Sequence, residues 1–505
     1  MGNARRMAQT TSTGGRAPHL TPMTVLASVV SAISGLLYGY DTGIISGALL
    51  QIEEEFSLGN AMEQVIAASI LLGAVIGALS CSRLSERRGR RTTILVVAAI
   101  FVVGSTASAL APSALTLALA RVVLGFAVGG ATQTVPMYVA ELAPAAHRGR
   151  LVLTFQVAIG VGIVIATIVG ATEAFSWRAA IGCAAVPAAI MLALVLRLPE
   201  SPRWLVKHDD ADGARRSLER VRPDGHDLAP ELDEIAALAE EERTARTRGW
   251  GGLRAAWVRP ALLVGCGIAM FTQLSGIEMI VYYSPTILTD NGFSDSAALR
   301  VSVALGVTYL IMMCVGLAII DRVGRRRLTL MMIPGAALAL FALGLIFVPG
   351  NDDQTALIIA CLIVFMLFNA GGLQLMGWLT GSEIYPLAVR GAGTAVQSAT
   401  LWSTNLLITL TLLTMIDAIG VGPSMWVYAG FNVLAFLFVL ARMPELSGRS
   451  LEQIETALRD GRFAPGDFEA ETSARADDAD RQGRFSRDAS VAETPSASSD
   501  SSAAR

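Results

Sequence analysis

Asp41 and Arg121 stand inside long apolar stretches of this 505-residue chain, and together they could take up and release a proton. An ionised carboxylate at the centre of a membrane-spanning helix costs about 2.5–3.5 kcal/mol on insertion scales, so it needs a task or a partner. Removing water disfavours its charged form, and a nearby guanidinium favours it. A motion that shifts this balance shifts its hold on a proton. The same two residues could also be a static tie between helices. A second acid, Glu278, lies in another apolar stretch, where it could bind a hydroxyl, carry a proton or select a cationic group. Gln156 and Gln273 place amides at similar depth, where an idle amide is a liability; each either meets a polar solute or bonds a neighbouring helix. Trp402 and Asn405, three apart, share one helical face, and Trp378 lies in the preceding apolar run, with plain packing as the other use of the indoles.

The composition says what holds these residues in place. The chain is 53% hydrophobic and 16% charged, with a mean hydropathy of +0.54, so lipid is the expected solvent. About 20 mostly apolar residues cross the hydrocarbon core. Twelve stretches qualify: 23–50, 62–83, 92–111, 113–137, 151–171 and 177–198, then 260–288, 299–320, 328–348, 355–381, 391–415 and 423–443. The expected fold is an all-α membrane protein of twelve spans in two six-helix halves. Residues 1–22 form a tail, 23–198 the first half, 199–259 a helical linker, 260–443 the second half and 444–505 a largely disordered tail. The first apolar run is too long for a signal-peptide core and is expected to remain as the first span. A net charge of −3 gives no case for a nucleic-acid partner. Cys81, Cys183, Cys266, Cys314 and Cys361 all sit in apolar sequence and read as small hydrophobes, and no Cys/His spacing suits a metal.

Basic residues cluster in alternate connections. Arg83, Arg87, Arg88, Arg90 and Arg91 follow the second span; His147, Arg148 and Arg150 the fourth; Arg322, Arg325, Arg326 and Arg327 the eighth; Arg390 the tenth. The other connections are poor in base: 51–61 holds three glutamates, and 349–354 holds Asp352 and Asp353. The positive-inside rule places both termini, with Arg5, Arg6 and Arg16, and the 199–259 linker in the cytoplasm. In that linker Glu231, Asp233, Glu234 and Glu240 to Glu242 precede Arg243, Arg246 and Arg248, a pattern suited to short helices beneath the bundle. The bias of arginine over lysine (Lys207 is the only one) suits a bacterial inner membrane.

The halves echo each other at a nearly constant offset. Ser85-Glu86-Arg87-Arg88-Gly89-Arg90-Arg91 answers to Ile320-Asp321-Arg322-Val323-Gly324-Arg325-Arg326. Glu141 to Gly149 answers to Glu383 to Gly391, and Pro199-Glu200 to Pro444-Glu445. Repeated six-span halves are the layout of carriers that rock about a central site. With these repeats go Gly35-Leu36-Leu37-Tyr38-Gly39-Tyr40-Asp41-Thr42-Gly43, Pro199-Glu200-Ser201-Pro202-Arg203-Trp204, Gln273-Leu274-Ser275-Gly276-Ile277, Tyr282-Tyr283-Ser284-Pro285 and Gly448-Arg449-Ser450. From about residue 23 to 456 the chain resembles the sugar porter family of the major facilitator superfamily.

The resemblance implies proton-coupled symport of a monosaccharide or polyol by alternating access, with Asp41 and Arg121 as the proton-coupling pair. It implies a substrate set of Tyr38, Gln156, Thr272, Gln273, Glu278, Tyr283, Trp378, Trp402 and Asn405. It also implies a cytoplasmic ionic latch from Glu86, Arg90, Glu141, Arg148, Asp321, Arg325, Glu383 and Arg390, in which the longer arm of Glu86 should still reach an arginine. Gly125 and Gly129 read as a stripe for close helix packing. The chain departs from the family pattern at Thr272, at Glu278 and Tyr309 where the family has Asn, at Ala184, and in the tenth span, which lacks the usual Gly-Pro-rich break. An uncoupled sugar facilitator, an organic-cation antiporter and a non-transporting sugar sensor are the competing readings. No enzyme, cofactor or metal is expected; the partners are the solute, the proton and the bilayer, with the protein a monomer.

Overall fold

A computed structural model describes residues 20–144, 147–172, 175–245, 248–347 and 354–466. Arg5, Arg6, Arg16, Arg246, Asp352, Asp353 and the tail from 467 onward lie outside the described residues. Among the described residues, twelve helices are long and apolar enough to cross a membrane. In chain order they are α1 (Pro22–Phe56), α2 (Asn60–Arg88), α3 (Arg90–Ala109), α4 (Ala114–Leu142), α5 (Arg148–Gly170) and α6 (Trp177–Val195). The second half has α7 (Ala256–Asp290), α8 (Asp295–Val323), α9 (Arg325–Ile346), α10 (Thr355–Glu383), α11 (Leu387–Ile419) and α12 (Val421–Arg442). Several run past the apolar ranges because a helix continues into water wherever charged residues can hold its ends; α1 reaches Phe56 through Glu53, Glu54 and Glu55.

Close packing within the first half depends on small residues. Gly35, Gly39, Gly43 and Gly47 recur every four residues along α1, and a Cβ at Gly39 would collide with the Ile159 carbonyl of α5. Gly125 and Gly129 press α4 onto the backbone of Ile70 and Ala74 in α2. Lipid supplies no hydrophobic drive between helices, so such backbone contact carries the packing. That stripe is where the spacing placed it.

Three spans are interrupted. In α7 the helix stops at Leu274 and resumes at Ile277, with Gly276 at φ +94° turning the chain. The Ser275 carbonyl freed there accepts a hydrogen bond from Asn432 Nδ2 at 2.9 Å, as a broken backbone at membrane depth requires. In α6 the regular helix lapses at Cys183 and Ala184, just before Pro187, whose missing N–H leaves the Cys183 carbonyl without its usual donor. The expectation for α10 is corrected: the helix does break, at Gly371 and Gly372, between segments ending at Ala370 and starting at Leu373. Two consecutive glycines provide the freedom without a proline.

The linker forms short helices, Pro202–Lys207, Ala211–Val221, Ala229–Thr244 and Gly249–Gly252. They lie on the arginine-rich face: Arg222 donates to the Leu142 carbonyl at 2.8 Å, Trp204 Nε1 to the Glu86 carbonyl at 2.9 Å, and Arg83 stacks on Trp250 at 4.4 Å.

Candidate functional site

The repeats on the arginine-rich face fold into two matching assemblies. Glu200 accepts hydrogen bonds from the backbone N–H groups of Arg90 (2.8 Å) and Arg91 (3.1 Å), capping α3. Glu445 does the same for α9 through Arg325 (2.7 Å) and Arg326 (3.1 Å). Anions belong at helix N-termini, where N–H groups are unpaired and the dipole is positive. The preceding glycines, Gly89 and Gly324, both have φ +94°, and a side chain on either would meet the capping carboxylate. Arg90 pairs with Glu141 at 3.1 Å and donates to the Ser85 carbonyl at 3.0 Å, while Ser201 Oγ donates to Glu141. Arg325 pairs with Glu383 at 2.8 Å and with Asp321 at 2.8 Å.

These pairs join residues of the expected latch, and each lies within one half of the molecule. Contrary to expectation, Glu86 forms no ion pair among the described residues; its side chain lies beside Gly391 at the start of α11. Its backbone sits one turn before Arg90, but the Glu141 carboxylate and Ser85 carbonyl already occupy that guanidinium. Arg148 and Arg390 also stand apart from the glutamates with which they share a motif: Arg390 Nε donates to the Tyr385 carbonyl at 3.3 Å, and Arg148 Nε has no partner. What bridges the halves on this face is neutral. Gln133 of α4 donates to Thr394 of α11 at 3.0 Å and accepts from Ser398 at 3.2 Å. On the opposite face Asn60 donates to Asp417 at 2.8 Å, Gln64 to Thr414 at 3.0 Å, and Thr286 to Glu63 at 3.3 Å.

Between these two sets of bridges lies an aromatic group drawn from both halves. Tyr38 of α1 meets Trp402 of α11 edge-on at 5.4 Å and Trp378 of α10 at 6.5 Å, with the two indoles 6.1 Å apart. Around it, side-chain polar atoms are buried without partners: Trp402 Nε1, Asn405 Nδ2, Gln273 Oε1 and Glu278 Oε2. A buried polar atom left unpaired costs about 1–3 kcal/mol, and a protein interior seldom carries several. Tyr282 and Tyr309, both buried, lie near Glu278, Tyr282 one turn along the same helix segment.

Two expected contacts are engaged elsewhere. Thr272 Oγ1 donates to the Ile268 carbonyl at 2.8 Å, with the Leu373 carbonyl of the α10 break at 3.3 Å. The Tyr283 hydroxyl donates to the Thr409 carbonyl at 3.1 Å. Gln156 is half-buried, one turn from Gly160, which packs on Leu310 and Met313 of α8. Sequence reasoning passed over Asn369, buried with both amide atoms unpartnered, and Gln374, whose Oε1 is unpartnered. Both are amides inside an apolar run, the signal that singled out Gln273.

Asp41 sits one turn along α1 from Tyr38. Its Oδ2 is 3.8 Å from Arg121 Nη2, too far for a hydrogen bond. The Arg121 guanidinium is wholly enclosed; Nε donates to the Ile66 carbonyl at 3.1 Å and Nη1 is unpartnered. Asp41 retains 8% side-chain exposure against 1% for Arg121, so the acid is the accessible member of the pair. The one-turn step from Tyr38 to Asp41 on α1 places the ion pair beside the aromatic group.

Known proteins resemble this chain in sequence and in fold. The chain is 36% identical over 438 residues to the D-xylose transporter of Levilactobacillus brevis, covering 85% of this chain and 94% of that one. It is 34% identical over 447 residues to the galactose-proton symporter of Escherichia coli (strain K12), covering 87% and 95%. A partially occluded, inward-open structure of the xylose transporter XylE from E. coli superposes with a TM-score of 0.73 at 26% identity, covering 85% of this chain and 99% of that one. Residues 27–458, nearly all of the helical bundle described above, match a single family of membrane carriers, and the chain belongs to the Sugar (and other) transporter family.

Proposed function

We propose that this protein carries a monosaccharide or polyol together with a proton across the bacterial inner membrane by alternating access, its arginine-rich face in the cytoplasm. One observation carries the reading. A buried acid, held 3.8 Å from an enclosed arginine, adjoins a group of aromatic rings and unpartnered amides contributed by both halves. Sugar hydroxyls suit the free amide and indole atoms, and the C–H faces of the ring suit the tryptophans. The galactose-proton symporter among the relatives agrees with coupling, and the D-xylose transporter with the substrate class.

The mechanism follows from the two sets of bridges. Opening toward one side breaks the hydrogen bonds between the halves on that face and retains those of the other, and none of these bonds joins two charged groups. Water reaching Asp41 in one state and excluded in the other changes its hold on a proton, with Arg121 as the fixed counter-charge. Transfer of one charge through 100 mV supplies about 2.3 kcal/mol, roughly fifty-fold accumulation of solute. Proteoliposome uptake under an imposed pH gradient tests this. Asp41→Asn should abolish accumulation and spare counterflow exchange; equal loss of both would assign the pair a structural role.

A further inference from the structure

Glu278 is the buried acid that this mechanism leaves unused. It is 5% exposed, its Oε2 is unpartnered, and among the described residues it forms no ion pair. It occupies the first turn of the α7 segment that resumes after Gly276, so the positive end of that helix favours negative charge at this point. Tyr38, Tyr282 and Tyr309 are its electrostatic neighbours, and Tyr38 in turn packs on Trp402. A carboxylate removed from water with no counter-cation must be neutralised, either by a proton or by a positive group brought to it. For hydroxyls alone it would be superfluous, because the unpartnered Trp402 N–H and the Asn405 amide one turn along α11 already offer neutral groups. A carboxylate beside several aromatic rings is the composition that recognises an ammonium group.

We infer that the site accepts amino-substituted sugars or polyols, with the ammonium group of the solute meeting the Glu278 carboxylate among Tyr38, Tyr282 and Tyr309. This rests on the sugar-carrying reading above and deepens it. When an ammonium enters, the proton that neutralises Glu278 in its absence leaves to the aqueous side the pocket then faces. The charge of the filled site is the same in both cases. Asp41 has its own counter-charge in Arg121 and is not displaced from it.

The test reads binding separately from flux. The purified full-length protein is melted in detergent at about pH 6, where sugar amines are charged. D-glucose, D-xylose and myo-inositol are each set against their amino-deoxy derivatives, with N-acetylated forms as uncharged controls. An amino derivative should half-saturate the shift at about tenfold lower concentration than its parent, the gain expected of a charged hydrogen bond. Its N-acetyl form should show no such gain. Glu278→Gln should bring the ratio of amino-derivative to parent affinity down to about one, while Glu278→Asp should keep part of the preference. Amines no better than their parents in the unmodified protein, or a preference that survives Glu278→Gln, would overturn the inference. Amine-selective binding without proton-driven uptake would leave it standing and remove the coupled-transport reading instead.

Discussion

Asp41 in α1 and Glu278 in α7 occupy corresponding spans of the two halves, both buried at the aromatic group, yet their surroundings are opposite. Asp41 has a guanidinium 3.8 Å away, itself anchored to the Ile66 carbonyl. Glu278 forms no ion pair among the described residues, and its Oε2 has no partner there. A repeat that has diverged in this way separates two tasks that a single acid could not serve independently. The half with the arginine has a fixed counter-charge and can hold or release a proton. The half without one leaves its counter-charge to be supplied by whatever enters.

The comparison can be broken most decisively at Arg121. Arg121→Leu leaves Asp41 without its counter-charge and should destabilise the bundle by about 3–5 kcal/mol, read as loss of monodisperse protein on heating. The double variant Asp41→Asn/Arg121→Leu should recover most of that stability and none of the accumulation. Gly39→Val comes next, since any side chain there drives α1 off the α5 backbone; uptake and expression should fall together. Glu278→Gln removes no ion pair, so its melting temperature should stay within the range of an ordinary substitution, about 1 kcal/mol. A loss as large as that of Arg121→Leu would erase the distinction drawn here. In transport, Glu278→Asn should alter the range of solutes accepted and retain proton-driven accumulation; lost proton movement with unchanged selectivity would reverse the assignment. Smallest is Gln133→Ala, which cuts two neutral bonds between α4 and α11. It should shift the balance of outward- and inward-facing states by a few fold, seen as altered accessibility of a cysteine introduced in the pocket.

The twelve helices were legible because hydropathy is summed over about 20 residues and the signal survives any local detail. Asp41, Arg121, Glu278 and Gln273 were legible for a related reason: a polar side chain within an apolar run is conspicuous on its own. The α10 break was missed because a proline was sought there, and two adjacent glycines do the same work. That Glu86 meets no arginine was not legible, because a motif shows which residues recur and not which neighbours already occupy their partners. Glu200 and Glu445 were visible as a repeat, but capping is a geometric relation between an acid after one helix and the start of another more than a hundred residues away.

The sequence by itself determined the number of spans, their two-fold repetition, the alternation of charge between connections and the identity of the buried acids. These are properties of local composition and of residues counted along one chain. Only the tertiary structure decided that Asp41 faces Arg121 while Glu278 pairs with no cation among the described residues, that Tyr38, Trp378 and Trp402 meet, and that Thr272 and Tyr283 spend their hydroxyls on backbone carbonyls. Those outcomes depend on the rotation and depth of each helix, which small residues and backbone breaks set through contacts distant in sequence.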